Sequence, residues 1–225
     1  MSAQLARRLQ DNKPLIIAEM AAIALFPLSL ALVQLPRTII PLLLLAWLSL
    51  RLRHISWKEA GLRRPTSWLR TIPAGVGLGL AGAFLSERVA APILFRLTGQ
   101  SPPQAVELVL LRGNLLYFLV LLTGIWLLAA LGEEIVYRGY VLSRLADLFG
   151  RNTAGWGIGL IAGSLMFSLG HGLNNLALLP GIFMLGLLEG GLYLGSQRNL
   201  WLSIVFHGTW DTIFLALAFL GPSWR

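Results

Sequence analysis

The stretch LLYFLVLLTGIWLLAALGEEIVYRGYVLSRL, residues 115–145, runs to position 132 without a charge. It then sets Glu133 and Glu134 side by side, with Arg138 four residues after the second. Its first half is apolar all round, not striped on one face, and a helix crosses a bilayer with about 20 such residues. It therefore reads as a membrane span that ends in charge. Blocks of the same kind recur. Residues 15–35 carry one charge, Glu19; residues 154–169 carry none; residues 200–220 carry Asp211 and His207 alone.

Composition agrees. Of 225 residues, 56% are hydrophobic and 12% charged, with a mean hydropathy of +0.72, whereas soluble domains are about a quarter charged. The expected fold class is all-α, a polytopic transmembrane helical bundle of about seven spans, with six to eight as the range. The spans are placed at residues 15–35, 38–50, 72–95, 113–131 with a continuation, 154–171, 176–195 and 200–220. The second reaches only about 20 Å at 1.5 Å per residue, so it is short, tilted or re-entrant. A short basic tail, residues 1–13, precedes a single membrane-embedded domain over residues 14–225. The first apolar run is too long for a signal-peptide core and reads as a retained span.

The net charge of +8 sits between the apolar blocks, where it orients the chain in the membrane and does not suggest nucleic acid. The segment RLRHISWKEAGLRRPTSWLR, residues 51–70, holds six basic residues and two tryptophans, as a membrane-surface segment does. With the N-terminus inside, 13 of the 18 basic residues fall on inner segments. The expected setting is an integral, multi-pass protein of a prokaryotic plasma membrane, with a cytoplasmic N-terminus and membrane lipids around it. The chain has no cysteine, which removes disulfides and thiolate metal ligands.

Ionisable groups inside spans are costly, so each is a functional candidate. They are Glu19, Glu87, Glu133, Glu134, Arg138, His171, Glu189, His207 and Asp211; His54 belongs to the basic loop. Glu134 and Arg138 have the i,i+4 spacing of an ion pair, while Glu133, rotated by about 100°, is left available. Gly155, Gly159 and Gly163 allow a second helix to pack closely. A tight turn over residues 147–155 would return that helix along the first. Glu134 then lies about 21 Å from the turn and His171 about 27 Å, within roughly one helical turn of each other. His207 and Asp211, again four apart, share a helix face, so the carboxylate can accept from the imidazole and hold it. Glu189 has no evident partner: a polar cavity, Arg198 or neither would suit it.

Three motifs, Glu133-Glu134-Ile135-Val136-Tyr137-Arg138, Phe167-Ser168-Leu169-Gly170-His171 and His207-Gly208-Thr209-Trp210-Asp211, follow one another in membrane spans. In this order they resemble the CAAX-protease and bacteriocin-processing family of intramembrane proteases, over about residues 125–215. The resemblance implies an intramembrane endopeptidase acting on a peptide or protein substrate. Glu133, with His171, would activate a water. His207 and Asp211 would stabilise the oxyanion, and Glu134 and Arg138 would support the first carboxylate. Asparagine often stands where this chain has Asp211, and an ionised aspartate cannot donate to an oxyanion. The expected mechanism is glutamate-dependent, without a cofactor. If a metal takes part, zinc held by Glu133, His171 and His207 is the set to test. A proton-coupled transporter and a non-catalytic immunity protein are the alternative readings.

Overall fold

The computed structural model describes residues 8–10, 12–32, 39–99, 110–171 and 178–221. Most of the basic tail, residues 1–7 and 11, lies outside the described residues. Seven main helices follow the seven apolar blocks: α1 (Lys13–Leu32), α2 (Ile40–Leu52), α3 (Trp68–Thr98), α4 (Leu115–Phe149), α5 (Thr153–Gly170), α6 (Leu179–Gly195) and α7 (Leu200–Leu220). There is no strand among the described residues. α3, α4, α5 and α7 have the length and apolar character to cross a membrane, and α2 and α6 are shorter apolar helices.

Local chemistry sets the boundaries. Asn114, Asn152 and Asn199 each accept a hydrogen bond from a backbone N–H of the helix that follows, at 3.1, 2.8 and 3.0 Å, as N-cap asparagines do. α4 ends at Gly150, whose φ of 95° is strained for a residue with a side chain, and the turn to α5 follows at once. Two helices contain wider turns: α3 over Ser86–Ala90, around Glu87, and α4 over Ile125–Leu142 are π-helical. The 35 residues of α4 exceed the about 20 that span a hydrocarbon core. Its last turns, with Arg144 and Asp147, therefore stand at the polar boundary.

Side chains are sorted as lipid requires. Leu25, Leu44, Phe84, Leu116 and Ile161 are all more than half exposed on the outside of the bundle, while Arg53, Glu134, Arg138, Glu189 and His207 are buried within it. Helices approach closely at small residues. A Cβ at Gly159 would stand 2.9 Å from the Leu142 carbonyl oxygen, and one at Gly155 3.1 Å from that of Phe149, so the glycine row brings α5 onto α4. Gly79 does the same between α3 and α7, where a Cβ would meet the Phe206 carbonyl oxygen at 2.8 Å.

One buried polar network belongs to the scaffold. Glu19 on α1 accepts from both terminal nitrogens of Arg53, at 2.8 and 3.0 Å, and the Tyr140 hydroxyl lies 2.8 Å from its second oxygen. Ser49 completes the group, 2.7 Å from the Tyr140 hydroxyl. Glu19 thus ties α1 to the end of α2 and to α4.

Candidate active site

Four helices supply the site. α4 brings Glu133, Glu134 and Arg138; α5 brings Phe167 and ends at His171; α6 brings Glu189; α7 brings His207 and Asp211. The α4–α5 hairpin delivers His171 to Glu133, with Nε2 3.9 Å from a carboxylate oxygen. The remaining offset along the hairpin is closed by side-chain direction. Each Cβ leans towards its own helix N-terminus, so in antiparallel helices Glu133 leans away from the turn and His171 back towards it.

His171 Nδ1 lies 2.9 Å from the Phe167 carbonyl oxygen. That oxygen can only accept, so Nδ1 carries the proton and Nε2 is the nitrogen turned to Glu133. The His171 and Glu133 side chains keep 39% and 20% of their surface exposed. This pair is the accessible tier of the site.

Behind it lies a closed tier. Arg138 stands 2.8 Å from Glu134, in the i,i+4 relation expected, and its other terminal nitrogen donates to Glu189. His207 Nδ1 is 3.2 Å from both Glu134 and Glu189. All four residues are at most 3% exposed. Two carboxylates, one guanidinium and an imidazolium would balance to neutrality, which is how a charged group persists in an apolar interior. Phe167 joins the tiers: its ring lies under the Arg138 guanidinium at 4.3 Å, with the His171 ring at 4.6 Å and the His207 ring at 6.4 Å between centroids.

The structure brings together the six residues to which the resemblance gives roles, and sets Glu189, a candidate the sequence left without a partner, among them. Arg198, the other partner considered for Glu189, instead lies over the Trp156 ring at 5.1 Å. The sequence signal for Glu189 was a lone charge in a glycine-rich apolar helix, with nothing nearby to name its partner. The expected contact between Asp211 and His207 is present, but it is one of three carboxylate contacts to that ring. Asp211 is 3.4 Å from Nε2, the outer nitrogen, with 30% of its side chain exposed. Glu134 and Glu189 hold the inner nitrogen. Spacing along α7 found the Asp211 contact, but the firmer one comes from other helices.

Potential metal ligands are grouped differently from the set expected. Among the described residues, Glu134, Glu189 and His207 offer ligand atoms within 4.8 Å of one another. Glu133 and His171 are not in that group. Arg138 contacts both carboxylates, so a cation there would have to displace or oppose a guanidinium.

Residues 115–213 match the family model described as Type II CAAX prenyl endopeptidase Rce1-like. Over these residues the chain is similar to that family. No curated protein and no solved structure gives a significant match. The matched region begins at the first residue of α4 and extends two residues past Asp211, so it contains every side chain of both tiers. α1 to α3 precede it. The family is one of proteases, and the apolar helices make this an integral membrane protein.

Proposed function

We propose that the chain is an intramembrane endopeptidase in which Glu133 activates the water that attacks a peptide carbonyl. The observation that carries this reading is the Glu133–His171 pair: an accessible carboxylate and imidazole held 3.9 Å apart. That gap is too long for a direct hydrogen bond and suits one water bonded to both. Glu133 takes a proton from the water as its oxygen bonds the carbonyl carbon. His171, its Nδ1 proton engaged with Phe167, orients the same water through Nε2. The carbonyl oxygen gains the negative charge, and His207 Nε2 donates to it in place of Asp211. Glu133 then returns the proton to the departing amine, and the peptide bond breaks.

Glu134 and Glu189 act one layer behind. They accept from Nδ1–H, and in the imidazolium form of the ring Nε2–H is then the donor to the oxyanion. The neutral balance of this group around Arg138 supports a mechanism without a metal ion. The substrate is a peptide or protein entering from the membrane. The basic face, which gathers Lys58, Arg63, Arg151 and Arg198, supports by its charge a cytoplasmic placement of that end of the bundle.

The test is cleavage by the purified protein in liposomes, read by mass spectrometry of new peptide termini, against Glu133→Gln. Loss of cleavage with an unchanged melting temperature is expected. Full turnover in Glu133→Gln would remove Glu133 as the base. Proton-coupled uptake without cleavage would favour a transporter.

A further inference from the structure

Away from the catalytic tiers, the basic face carries an open cavity of about 690 Å³, lined by the start of α1, the α2–α3 loop, the last turns of α4 and the α4–α5 and α6–α7 turns. Such a volume lies in the range of small-ligand sites. Its wall is fixed by contacts between these segments. Arg63 donates to the Gln197 carbonyl at 2.6 Å, Asn199 to the Arg63 carbonyl at 2.9 Å, and the Leu200 amide to the Gly61 carbonyl at 3.0 Å.

Six cationic side chains and two carboxylates, Glu59 and Asp147, line the cavity, a formal excess of four positive charges. Both carboxylates are already engaged. Asp147 pairs with Arg144 at 2.8 Å and with Arg151. Glu59 accepts from the Ser56 hydroxyl at 2.6 Å and the Ser56 amide at 2.7 Å. These two bonds, the hydroxyl first, hold its carboxyl below the usual range. Lys13, Lys58, Arg63 and Arg198 are left without a carboxylate partner among the described residues.

Arg144 is the informative member. It is 3% exposed in the cavity wall, and neither Nε nor Nη1 has a hydrogen-bond partner. Orienting a membrane protein requires only basic side chains in water at the boundary. It does not require a buried guanidinium with two unpartnered nitrogens in the wall of a cation-rich cavity. Donors of that kind call for an anion with several acceptor oxygens.

We propose that this cavity binds a phosphate group, as carried by an anionic lipid headgroup or by free phosphate. The experiment uses the full chain in a zwitterionic detergent. Binding of short-chain phosphatidylglycerol, short-chain phosphatidylcholine and inorganic phosphate is followed by thermal shift and titration calorimetry. Saturable binding of phosphatidylglycerol but not phosphatidylcholine is expected, and it should weaken by roughly tenfold or more in the Lys58→Gln/Arg198→Gln double variant. Both positions are exposed and outside the catalytic tiers, so the variant should fold and cleave as the parent does. Arg144→Met should weaken binding further. Displacement of phosphatidylglycerol by inorganic phosphate would identify a free phosphate site, and failure of phosphate to compete would identify the lipid headgroup. Absence of saturable binding by either probe, or equal affinity in the double variant, would overturn the proposal.

Discussion

Glu19 and Glu133 are both carboxylates in apolar helices, yet one is saturated and the other is not. The two oxygens of Glu19 face three donors, two from Arg53 and one from Tyr140, all within 3.0 Å. Glu133 has an oxygen with no hydrogen-bond partner and an imidazole 3.9 Å away. A charge in a span is costly in either case. The difference lies in how that cost is met: Glu19 is neutralised by its neighbours, whereas Glu133 has an oxygen turned to His171 that no hydrogen bond satisfies.

The comparison can be broken in four ways. Arg138→Ala should have the largest effect, because it removes the guanidinium that contacts both Glu134 and Glu189. Stability should fall by about 3–5 kcal/mol, with cleavage lost as well; thermal unfolding in detergent with a parallel activity assay checks both. Glu133→Gln should cut kcat by about 10²–10⁴-fold and leave the melting temperature unchanged. A comparable loss of stability would make Glu133 another brace. Glu19→Gln should do the reverse, costing about 1.5–3 kcal/mol of stability while kcat stays within about twofold. Asp211→Asn should have the smallest effect, a change in kcat of less than about tenfold, since the amide oxygen still accepts from His207 Nε2. Asp211→Ala should lose more than Asp211→Asn. If it does not, Asp211 has no part in holding the outer nitrogen.

Much of this was legible in the sequence because it depends on short-range regularities. Apolar block length located all seven helices, and the positions 134/138 and 207/211 were paired by the helical repeat. Gly155 and Gly159 announced the α4–α5 contact, and turn length placed His171 near Glu133. Glu189 was not legible, since its partner Arg138 lies 51 residues away on another helix. Spacing rules reach about four residues along a helix and say nothing of which faces meet. The same limit explains Asp211, whose neighbour on α7 could be named while the carboxylates on the far side of the ring could not. The resemblance covered the domain from α4 onwards, but the brace at Glu19 joins that domain to helices in front of it.

Three histidines occur in the whole chain, and each ring sits in a different bonding arrangement. His54 is exposed in a loop. His171 has one nitrogen tied to a backbone carbonyl, and His207 has carboxylates at both nitrogens. Nitrogen-15 resonance frequencies of imidazole report which nitrogens carry protons, so uniform histidine labelling would give three separable signatures from one unmodified sample. The proposed catalytic machinery can thus be watched spectroscopically in a resting bilayer, before any substrate is known.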